Sequence, residues 1–114
     1  MSWTPVCALS RLPLERGVAA LVDGHQVAVF RVGDVVHAVD NRDPATGAMV
    51  MSRGLVGSRG DHVTVASPLH KQVYDLETGR CLDDGALGLA VHEVQVVDDQ
   101  LLVRLGAAAL EAAV

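Results

Sequence analysis

The chain has 114 residues and a formal net charge of −5, with Lys71 its single lysine and no basic run, so it is sized for one domain and ill-suited to nucleic acid. Half of its residues are hydrophobic but only Trp3, Phe30 and Tyr74 are aromatic, which implies an aliphatic, valine-rich core suited to strands. No apolar run approaches the roughly 20 residues a bilayer span needs, and the amino terminus lacks the layout of a secretory signal; a cytoplasmic location is expected.

Short valine-rich runs separated by turn residues predict an antiparallel all-β domain. In chain order the expected strands are Thr4 to Ala8, Val18 to Val22, Gln26 to Arg31, Val35 to Asp40, His62 to Ala66, Gln72 to Asp75, His92 to Val97 and Leu101 to Leu105. Asp23-Gly24, Gly33-Asp34 and Asp98-Asp99-Gln100 mark tight hairpins, because glycine and aspartate tolerate positive φ. Between Asn41 and Asp61 the alternation stops and the composition shifts to Gly, Ser, Met and Arg, which reads as the longest stretch without a strand and a natural place for binding. A second irregular stretch runs from Asp83 to Val91. One domain is expected over residues 1–105, with a loop-rich tip at about 41–71 and an Ala-rich tail at 106–114 too short to hold as an isolated helix. Cys7 and Cys81 form no Cys/His cluster and read as reduced core residues.

The chemistry of the chain lies in two loops. Asn41-Arg42-Asp43-Pro44-Ala45-Thr46-Gly47 and Ser67-Pro68-Leu69-His70-Lys71-Gln72-Val73-Tyr74-Asp75-Leu76, followed by Thr78-Gly79, resemble the two ligand loops of a Rieske [2Fe–2S] domain over most of the chain. Such a domain holds its cluster with two cysteines on one iron and two histidines on the other. Asp43, Ala45 and Ser67 stand at three of those four positions, and only His70 stands where a ligand belongs. The resemblance therefore implies an all-β, Rieske-like antiparallel sandwich with no cluster, and no metal, of its own.

Within that fold the chain resembles the small subunit of the assimilatory NAD(P)H-dependent nitrite reductases. The resemblance rests on Ala28-Val29-Phe30-Arg31, Asp43-Pro44, Met51-Ser52-Arg53-Gly54-Leu55-Val56 and Val65-Ala66-Ser67-Pro68-Leu69-His70-Lys71-Gln72. It implies an accessory, non-catalytic role in nitrate assimilation, beside a large subunit that carries FAD, siroheme and a [4Fe–4S] cluster and reduces nitrite to ammonia. The rival readings are a protein derived from a Rieske-type ferredoxin and a free-standing module that binds a protein or a small molecule.

Residue by residue, Asp43 before Pro44 is expected to accept backbone N–H groups in a turn. His70 is expected to hydrogen-bond across the two loops in place of the lost cluster. Neither Asp43 nor Asp61 has a partner suited to acid–base catalysis, and Ser67 lacks a nucleophile's context. His25, His37, His62 and His92 occur singly and read as structural or solvent-facing. Met49, Val50 and Met51 either plug the core or, with Arg53, form an apolar knob with a basic rim for docking. The resemblance favours docking, with Met49, Met51, Arg53, His70 and Lys71 as the partner-binding candidates.

Overall fold

The computed structural model describes residues 3–106. Its strands are β1 (Thr4–Ala8), β2 (Gly17–Val22), β3 (His25–Val32), β4 (Val35–Asp40), β5 (Leu55–Arg59), β6 (His62–Ala66), β7 (Val73–Asp75), β8 (Val91–Val97) and β9 (Gln100–Arg104). The turn chemistry works as the composition requires. Asp23 and Gly24 take φ of 48° and 78°, and Asp98 and Asp99 take 50° and 65°, so both two-residue hairpins carry the paired positive φ that matches strand twist. Gly33 and Gly60, each at φ 60°, serve the β3–β4 and β5–β6 turns.

All strand pairs are antiparallel. Six strands form one sheet in the order β1-β9-β8-β4-β3-β2, and β5-β6-β7 form a second. The two ends of the larger sheet, β1 and β2, lie against each other, which curls it toward a barrel. Alternation along β3 feeds two apolar clusters. Val27 and Val29 join Leu12, Val22, Val36, Ala38, Leu101 and Val103 on one face. Ala28 and Phe30 join Val39, Met51, Val65, Tyr74 and Leu76 on the other, under the smaller sheet.

The expected strands all form, with shifts of one residue at some ends. The stretch from Asn41 to Asp61 is a correction: it holds a short 3-10 helix, Met51–Arg53, and then β5. β5 pairs with β6 alone and is mostly exposed, so its sequence Leu-Val-Gly-Ser-Arg lacks the apolar alternation that betrays a half-buried strand. Its entry is fixed by close backbone approach, since a Cβ on Gly54 would come within 2.5 Å of the Ala66 carbonyl oxygen. Of the Ala-rich tail only Gly106 is among the described residues; the expectation for the rest falls outside them.

Candidate functional site

The loop after β4 and the loop between β6 and β7 meet at one end of the smaller sheet. In the first, the Asp43 N–H donates to the Ala48 carbonyl at 2.8 Å and Gly47 N–H returns to the Asp43 carbonyl at 2.7 Å, with Gly47 at φ 82°. The Asp43 carboxylate is fully buried. Its Oδ1 accepts the Ala45 N–H at 2.8 Å and its Oδ2 accepts the Ser67 hydroxyl at 2.5 Å. Ser67, also buried, is held by its own N–H on the Gln72 carbonyl at 2.9 Å, while its Oγ accepts the Leu69 N–H at 3.3 Å. One carboxylate thus satisfies a turn in its own loop and ties that loop to the next. Beneath them the Tyr74 hydroxyl is buried without a partner among the described residues, and its pKa is pushed up to about 12 by burial first, then by Cys81, Asp43 and Asp84.

The model of the Rieske-like [2Fe-2S] domain family matches residues 2–104. The chain belongs to that family. It is 36% identical over 104 residues to the nitrite reductase (NADH) small subunit of Escherichia coli K12, covering 90% of this chain and 96% of that one. A crystal structure from Mycobacterium tuberculosis, described as an NADH-dependent nitrite reductase small subunit, superposes with a TM-score of 0.87 at 44% identity, covering 93% of this chain and 97% of that one. The large subunit of nitrite reductase [NAD(P)H] from Klebsiella oxytoca is 39% identical over 101 residues, which is 89% of this chain but 11% of that protein.

This member of the Rieske-like family lacks the donors for the cluster in the family's description. Ala45 offers a methyl group, and the Asp43 and Ser67 oxygens are already bonded to each other at 2.5 Å. No thiolate is present in either loop, so the residues do not fit a [2Fe–2S] centre. The cross-loop bond expected of His70 is made by Ser67 and Asp43 instead; His70 is exposed and makes no hydrogen bond among the described residues. Met51 is a second correction. It is fully buried in the cluster with Phe30, Val65 and Tyr74, so its side chain cannot meet a partner. Met49, Arg53 and Lys71 do lie at the surface. A groove beside the tip is lined by Arg53, Leu55, Ala66, Ser67, Pro68 and Lys71, and Leu55 is 79% exposed.

Two histidines read as single are not single. His25 Nε2 lies 2.6 Å and His92 Nε2 2.8 Å from the same Asp40 oxygen, Oδ1. Burial works to raise the Asp40 carboxyl, but the hydrogen bonds from His92 and His25 outweigh it and hold the pKa below the ordinary value. Sequence could have signalled this cluster only through register, since the residues come from β3, β4 and β8. His62 pairs similarly with Asp75 at 2.6 Å. His37 is buried.

Proposed function

We propose that this chain is the accessory small subunit of an NAD(P)H-dependent nitrite reductase, contributing structure or regulation while a large subunit performs the chemistry. The Klebsiella oxytoca relative carries the argument: a protein named as the large subunit contains a segment 39% identical to this chain as 11% of its own length. A unit found inside that polypeptide in one organism, and matching nearly the whole of a protein named as the small subunit in Escherichia coli, is naturally a unit that packs against the remainder. The tip supports a role without chemistry, since its carboxylate and hydroxyl are spent on each other. On this reading the partner carries FAD, siroheme and [4Fe–4S], the complex serves nitrate assimilation in the cytoplasm, and docking uses the rim of the tip: Met49, Arg53, His70 and Lys71, with Leu55 beside them.

The test is reconstitution. The purified chain should neither reduce nitrite nor oxidise NAD(P)H, and should co-purify with the large subunit made in the same cells. Failure to associate, or turnover by this chain alone, would overturn the reading.

A further inference from the structure

We propose that His25, Asp40 and His92 form a site for a divalent transition-metal ion of zinc's chemistry, linked to the C-terminal segment through Gly106. The site lies on the larger sheet and uses none of the residues at the former ligand positions of the tip. Two imidazole nitrogens and one carboxylate oxygen, all within 4.8 Å of one another, come from three neighbouring strands. Sheet register brings them together: Ala38 pairs with His92, and Val27 with Asp40, two residues beyond His25. The imidazole rings stand at 76° to each other with centroids 5.6 Å apart, so they approach the carboxylate from different directions. Three protein ligands of this kind plus one open position make a normal set for zinc.

The burial pattern suits an ion that enters from solvent. The His92 side chain is fully buried, while those of His25 and Asp40 are 28% and 21% exposed. One donor is therefore rigid and two can move. Tetrahedral donors around zinc stand about 3.3 Å apart, so the present contacts of 2.6 and 2.8 Å must open by less than about 1 Å. Both histidines use Oδ1, and no hydrogen bond among the described residues uses Oδ2.

The link to the C-terminal segment follows from the tautomer of His92. Its Nδ1 accepts the Gly106 N–H at 3.0 Å, so the neutral ring carries its proton on Nε2 and donates it to Asp40. A metal on Nε2 needs that lone pair, which moves the proton to Nδ1. There it faces the Gly106 N–H, donor against donor, and the bond breaks. Binding the ion therefore releases Gly106, and releasing Gly106 favours the ion. This opposition also makes the affinity lower than that of a preformed structural zinc site.

Zinc chloride titrated into the full chain by calorimetry tests the site, with the Gly106 amide followed by NMR. One ion per chain is expected, with a shift of the Gly106 resonance on binding. His25→Ala, at a partly exposed position, and Asp40→Asn, which preserves shape, should each weaken binding at least about tenfold, a loss that even an outer-shell partner can cause. His62→Ala should leave binding unchanged. No saturable binding at millimolar zinc would overturn the proposal, as would binding that survives both substitutions or is abolished by His62→Ala. Binding with the Gly106 amide unmoved would overturn the link.

Discussion

At the scale of single residues, the hydrogen bond from Ser67 to Asp43 is the side-chain contact that ties the two loops together. Ser67→Ala leaves Asp43 Oδ2 buried without a donor, and should cost roughly 1–3 kcal/mol in urea unfolding. Asp43→Ala should cost more, because it strands both the Ser67 hydroxyl and the Ala45 N–H. An unchanged midpoint in both variants would mean the tip does not hold the loops together. Sequence anticipated that Asp43 accepts a backbone N–H but misjudged which residue bridges the loops, because position along a loop does not tell which way a side chain turns. Lys71, at φ 60°, closes a turn that leaves Leu69, His70 and Lys71 all outside and Ser67 inside.

Single residues also set the response to acid. Burial pushes the His37 pKa below its ordinary 6.5, against the pull of Glu77 and Asp75. A depressed group stabilises fully above its unfolded value, so stability should begin to fall as pH drops below 6.5. Asp75 adds a second decline. Burial raises its carboxyl, but the Glu77 N–H, the His62 ring and the Thr78 N–H hold it below the ordinary 3.8, so that part is lost below that value. Unfolding midpoints measured against pH should show both declines, and His37→Gln should remove the first alone.

At the scale of elements, the short helix Met51–Arg53 and β5 divide the tip into core and rim. Met51→Asp buries a charge among Phe30, Val65 and Tyr74 and should unfold the domain, exceeding the 2–5 kcal/mol typical of trimming a buried methionine to alanine. Arg53→Glu and Lys71→Glu lie on the exposed rim. They should keep the thermal midpoint and weaken co-purification with the large subunit; if association is untouched, docking uses another face. Apolar alternation made eight strands legible in the sequence because each has at least one face or end in a core. β5 escaped because an exposed edge strand containing glycine and serine has nothing to alternate, and the helix before it hid Met51 from any reading by period.

For the whole molecule, the frame of the Rieske-like family persists around loops that lack the thiolate donors of the cluster. The purified chain should be colourless and free of stoichiometric iron and sulfide; an iron–sulfur spectrum after anaerobic purification would contradict the donor argument. Restoring Asp43→Cys, Ala45→His and Ser67→Cys together with the existing His70 should allow some cluster on reconstitution, and persistent failure would put the pairing of the loops in doubt.

β3 is hydrogen-bonded to β2 on one side and β4 on the other, and its side chains enter both apolar clusters. It is a party wall. Neither half can open without baring the strand that the other half leans on, so the amides of Val27 to Phe30 should be among the slowest to exchange with deuterium, yielding only when the whole domain opens. A partner gripping the tip under Phe30 and an ion held beside Val27 would then stiffen the same strand, and each should slow exchange on the far side of it.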